Sequence, residues 1–206
     1  MAKKHLEPVC EIIAAEQTPL LTFLSYHNSP LLAAGGSFLT FALPEFRSIN
    51  YGFPSFWVAM SISPNLTIGA NVIGSHWIDD NIQTIGPFLN TVWGTQEKSM
   101  NAGFHFHNLK GPDDFHLTDV SFDVSRISRS PKWILGYGVT AHYFKTYLHV
   151  TDHQDSTQNY KLTTDLNCLF FRYGIYRRIG KTMQLGGEFF LTTGNFISNF
   201  NVTFNF

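Results

Sequence analysis

The chain has no uninterrupted apolar run of about 20 residues, the length a helix needs to cross a bilayer. The longest candidate, Ser29 to Leu43, holds Gly35, Gly36, Ser37 and Thr40 and stops at Pro44. A helical membrane protein is excluded. Charge is also scarce: Asp, Glu, Lys and Arg make up 14 % of the 206 residues, where soluble domains carry roughly 25 %. A wall facing water would carry many Lys and Glu side chains. The net charge is −1, and no basic stripe exists to displace counterions from phosphates, so nucleic acid is not an expected partner. There are two cysteines, Cys10 and Cys168. They lie far apart without metal-ligand spacing and read as free thiols, not a disulfide framework. No nucleophile elbow, phosphate loop or metal-ligand motif occurs, so neither catalysis nor a cofactor is expected.

What the chain does have is aromatic residues, 16 % of the total and 20 of them Phe, spread along its length. Residues 1–36 read as an N-terminal extension. Val9, Ile12, Ile13 and Glu16 have helical spacing before Pro19, which suggests a short helix, either docked on the surface or acting as a plug. The segment opens with lysines, but Glu7, Pro8, Glu11 and Glu16 break any apolar stretch, so no secretory signal is evident. From Ser37 the period becomes two. Ten runs follow: 37–46, 54–63, 66–77, 82–94, 100–110, 115–128, 132–149, 160–178, 182–194 and 197–206. Run 82–94 is the least regular, because Pro87 removes a ladder donor. Run 160–178 changes phase near Leu169 and Phe170, which predicts a β-bulge. Phe56, Val58, Met60 and Ile62 share one face of their run, with Trp57 an exception on the other.

The connections alternate. One set is short: Ser63 to Asn65, Gly94 to Ser99, Ser128 to Lys132 and Arg178 to Lys181. The other set is on balance longer and richer in Asp, Gly and Pro: Leu43 to Pro54, Ile78 to Asn81, Lys110 to Asp114, Thr151 to Asn159 and Thr193 to Phe196. In the run Trp133 to Tyr143 the odd positions are Trp133, Leu135, Tyr137, Val139, Ala141 and Tyr143. Its ten steps span roughly 33 Å along a strand. Tilted by about 40–45°, that becomes roughly 23–25 Å, close to the ~25 Å apolar band between aromatic girdles. The pattern predicts an all-β fold over 37–206: a closed antiparallel transmembrane barrel of about ten strands (8–12), with its outer face in lipid.

The last residues, ISNFNVTFNF, place Phe200, Val202, Phe204 and Phe206 on one face. The ending resembles the C-terminal assembly signal of bacterial outer-membrane β-barrel proteins, in which a final aromatic follows another two residues earlier. Phe206 and Phe204 match, while Asn201 stands where glycine is usual. The resemblance implies the outer membrane of a Gram-negative bacterium, with the bilayer and the barrel-assembly machinery as partners, the latter engaged through the last strand. Trp133, Tyr137, Tyr143, Phe200, Phe204 and Phe206 are then expected at the lipid-facing wall and its girdles.

The opposite faces would line the lumen with a polar cluster: His105, His107, Asp119, Asp123, His142, Asp165, Arg172 and Glu188. Buried charges must pair. The leading expectation is an ion-paired filling, with a narrow hydrophilic conduit as the alternative. A metal held by His105, His107 and one aspartate would need a third ligand that the spacing does not fix. Asp79, Asp80, Asp113, Asp114, Asp152 and His153 in the outer loops resemble the rim aspartate–histidine pairs of the omptin proteases, which implies an outer-membrane hydrolase as another reading. His116 and Thr118 share a face, but no serine stands beside them as in outer-membrane lipid A deacylases. The main functional expectation is a structural or adhesion-type barrel or a narrow pore. A soluble lipocalin-like barrel, with apolar residues facing an inner ligand cavity, is the rival.

Overall fold

The structure, a computed structural model, describes residues 32–41, 51–77, 80–110, 115–150, 160–192 and 196–206. They form ten strands: β1 (Leu32–Phe41), β2 (Tyr51–Ser63), β3 (Leu66–Trp77), β4 (Asp80–Gly94), β5 (Lys98–Lys110), β6 (Phe115–Arg129), β7 (Trp133–Val150), β8 (Tyr160–Ile179), β9 (Met183–Leu191) and β10 (Phe196–Asn205). Each strand pairs antiparallel with its chain neighbours, and β1 pairs with β10, so the sheet closes into a barrel. Full closure leaves no strand edge with unpaired backbone groups. The expected helix or plug and Cys10 lie outside the described residues.

Four tight turns gather at the end where β1 starts and β10 finishes. Side-chain hydroxyls and glycines set them. Thr95 N donates to the Lys98 carbonyl at 2.8 Å, and Lys98 N donates back to Thr95 Oγ1 at 3.1 Å. Ser130 makes the same exchange with Trp133: its N donates to the Trp133 carbonyl at 2.8 Å, and Trp133 N donates to Ser130 Oγ at 3.0 Å. Gly94 (φ 112°) and Gly180 (φ 68°) take left-handed conformations that side chains disfavour. This is the short-turn, inner end of the barrel.

Burial alternates along the strands as a period of two requires. Large apolar side chains point outward and are exposed all round the wall, among them Phe56, Phe104, Phe122, Leu169 and Phe171. Trp133, Tyr137, Tyr143, Phe200, Phe204 and Phe206 are all on this exposed set. The inverted, lipocalin-like arrangement is not what the chain adopts. Phe206 is 71 % exposed, while Asn199 and Asn201 are buried inside.

Three sequence expectations change. The first strand begins at Leu32 instead of Ser37, because Ala33 to Gly36 pair with Val202 to Asn205 in closing the barrel. No bulge interrupts residues 160–178: β7 and β8 stay in one register from Trp133↔Arg177 to Val150↔Tyr160. The third change concerns β4, which extends unbroken along β3 despite Pro87. Its ladder to β5 nevertheless loses the pairs at Gly86 and Pro87. Pro87 faces Phe106 there and has no N–H to donate to its carbonyl.

The Trp57 exception has a simple geometry: Trp57 points inward and is buried. It lies over Gly35, its cross-strand partner, where a Cβ would meet the indole at 2.6 Å. Gly69 makes the same room for the ring of Phe88, and Gly186 for that of Tyr176. Large inward rings thus pack above glycines on the neighbouring strand.

Candidate functional site

The inward positions of β5 through β9 build a polar belt inside the barrel. On β6 the inward series reads Leu117, Asp119, Ser121, Asp123, Ser125, Ile127, and all six are buried. It begins and ends apolar, with polar groups between. The series on β8 likewise runs from Leu166 through Arg172 to Tyr176, while the one on β7 runs from Ile134 through His142 and Phe144 to the buried Thr146. Towards the inner end, Trp57, Phe88, Ile127, Ile134 and Tyr176 cluster with Ala33 and Ala59. Leu109, opposite Leu117 on the neighbouring strand, is buried towards the outer end. The lumen is therefore not uniformly polar, as strand parity alone suggests. Apolar groups stand at both ends of the belt on β6 and β8, while polar Ser99 and Gln184 stand at the inner ends of β5 and β9.

Within the belt each carboxylate has named partners. The His105 Nε2 atom is 2.7 Å from Asp123 Oδ1, and Asn101 Nδ2 donates to Asp123 Oδ2 at 3.4 Å. The His142 Nδ1 atom lies 2.9 and 3.1 Å from the two oxygens of Asp119. His107 Nδ1 lies 3.8 Å from the same carboxylate. The His105 and His107 rings stack with centroids 6.1 Å apart. Glu188 accepts a hydrogen bond from the Tyr176 hydroxyl, and its Oε2 lies 3.7 Å from Arg172. Arg172 also donates to Thr140 Oγ1 at 3.2 Å and lies 5.3 Å from the Phe190 ring centre. Three carboxylates thus meet one guanidinium and three imidazoles, an arrangement that offsets the cost of burying each charge.

Seven of the eight residues expected in the cluster are here: His105, His107, Asp119, Asp123, His142, Arg172 and Glu188. Asp165 is not. It is exposed on the outer face, opposite Lys145 in the ladder. The expected bulge placed it inside; without a bulge it shares the outward parity of Leu169 and Phe171. The metal reading also fails on geometry. His105 reaches Asp123 while His107 faces Asp119, so the two rings do not converge on one carboxylate. Among the described residues no group of three His, Cys, Asp or Glu is arranged to hold a metal ion. Cys168 is buried and forms no disulfide among the described residues. The loop residues Asp79, Asp113, Asp114, Asp152 and His153 lie outside the described residues, as does the side chain of Asp80.

Several participants escape sequence reading. Tyr176, Thr140 and Asn101 share the inward parity of the belt, and that is the one signal that could have found them. Gly103 is a less visible member. A Cβ there would collide with Asp123, Asn90 and His105, so the His105–Asp123 pair fits only over a bare backbone.

A closed antiparallel sheet, short turns at the end holding both terminal strands, and an exposed apolar wall together define the build of bacterial outer-membrane β-barrels. Solved structures with this fold include the outer-membrane protease OmpT from Escherichia coli, at 8 % identity and a TM-score of 0.50, covering 88 % of this chain and 100 % of that one. KdgM porin is also similar, at 7 % identity and a TM-score of 0.47, covering 84 % and 99 %. The translocator domain of the autotransporter NalP from Neisseria meningitidis matches at 12 % identity and a TM-score of 0.46, covering 100 % and 96 %. These likenesses are of fold alone. No protein-family model matches the sequence, and no curated protein matches it.

Proposed function

We propose that the protein is an integral outer-membrane β-barrel whose interior is closed by side chains, a structural barrel and not a diffusion pore. The observation that carries this reading is the two-sided burial. Outward apolar residues such as Phe56, Leu169 and Phe200 are exposed, while inward residues as polar as Asp119, Thr140 and Glu188 are entirely buried. Contiguous exposed apolar surface on this scale needs lipid to cover it. A water-filled channel would leave its lining exposed, and here the inward set is buried and its carboxylates stand beside imidazoles and a guanidinium.

Two measurements test the reading. The protein should require detergent for extraction and should migrate differently on a gel before and after heating. It should then give no stepwise conductance in planar bilayers. Recovery of a monodisperse protein without detergent overturns the membrane assignment; steady single-channel currents overturn the closed interior.

A further inference from the structure

We infer that the inner rim of the lipid-facing wall, on β6 to β8, binds the phosphate headgroup of an anionic phospholipid; this rests on the membrane reading above. Arg126 and Arg177 are exposed on the outward parity of their strands, beneath Phe122 and Tyr173. In the ladder Arg126 lies between Met100 and Tyr137, and Arg177 between Trp133 and Leu185. The Arg177 guanidinium sits 5.8 Å from the Trp133 ring centre. None of these four neighbours is acidic. Lys98 and Lys132 are exposed beside them at the rim, and Glu97 is the one acidic residue among the described residues of that end.

The opposite end differs. Outward-facing Lys145 has Asp165 across the ladder. Neither Arg126 nor Arg177 has such a partner. A guanidinium on a lipid-facing wall is costly without a counter-charge. Here no carboxylate stands across the ladder, and the complement comes from the lipid. Arginine matches the geometry of a phosphate with two parallel hydrogen bonds. Trp133 sits where indole rings mark the headgroup level; the long stem of Arg126, opposite Tyr137, lets its head reach down to that level, and Leu135 and Ile175 between the arginines offer a seat for the lipid's upper chain. An acidic soluble protein would be met by a patch facing water, not by one that wraps onto the apolar wall.

The test uses the full chain in detergent micelles, titrated with phosphatidylglycerol and phosphatidylcholine and read by native mass spectrometry. Phosphatidylglycerol should be retained in preference. The preference should fall about five-fold for each arginine removed in Arg126→Gln and Arg177→Gln, and Lys145→Gln should leave it unchanged. Variant folding is checked by the heat-dependent gel shift. Wild-type protein in about 1 M salt should lose the preference as well, without any substitution. Equal retention of the two lipids, a preference that survives loss of both arginines, or capture of soluble polyglutamate in place of the lipid would each overturn the inference. Failure to insert into neutral phosphatidylcholine vesicles would instead sink the membrane reading itself.

Discussion

Glu188 illustrates what a buried charge demands of its neighbours. It is wholly buried, accepts from Tyr176 and lies beside Arg172. Arg172→Met keeps the volume but strands the carboxylate, and should cost about 3–5 kcal/mol. Adding Glu188→Gln removes the stranded charge and should recover most of that loss. Unfolding in urea, followed by tryptophan fluorescence in vesicles, measures both. At this scale the sequence is partly legible. His105, His107, Asp119 and Asp123 are assigned correctly because β5 and β6 alternate polar and apolar residues without a break in their middle stretches. Asp165 is misassigned because Leu169, Phe170 and Phe171 are apolar on both parities. Phe170 packs inside against His142 and Phe190 while its two neighbours face outward, so hydrophobicity there carries no phase.

At the scale of the strand, the ladder between β4 and β5 is the weak point of the wall. Pro87 faces Phe106 without a donor, and two register pairs are missing around it. Pro87→Val supplies the N–H and a side chain suited to a strand. It should raise stability by about 1–3 kcal/mol, the cost of leaving a carbonyl unsatisfied away from water, in the same urea measurement. All ten strands are recognisable from period and turn chemistry, and most ends fall within a few residues of the observed ones. The start of β1 is not, since Ala33, Ala34, Gly35 and Gly36 show no alternation of their own. They become a strand because β2 and β10 flank them. The ring-over-glycine pairs are likewise invisible in one dimension. Gly69 and Phe88, or Gly186 and Tyr176, become neighbours only once the register is known.

For the molecule as a whole, the sidedness of the wall fixes its surroundings. Val139 points outward near the middle of the span between Trp133 and Tyr143. Val139→Arg should destabilise the inserted barrel by about 2–4 kcal/mol, and Tyr143→Arg at the girdle by only about 0–1 kcal/mol. Unfolding from lipid vesicles checks the pair; equal costs would contradict a bilayer around the wall. Closure and approximate strand number were legible from the alternating loop lengths. The filling of the interior was not. Parity tells which side a residue takes, but not that Trp57, Phe88 and Tyr176, from β2, β4 and β8, meet across the centre. The seal between β1 and β10 runs from Ala33↔Asn205 to Phe41↔Ile197, and joins the first described strand to the last. Contacts so distant along the chain form late. Until they form, the polypeptide is an open ribbon with two sticky margins, able to add to any other strand it meets. A version truncated before Phe196 would keep nearly the whole belt and still never become a cylinder. Closure of the wall therefore waits on β10, the strand that β1 must meet.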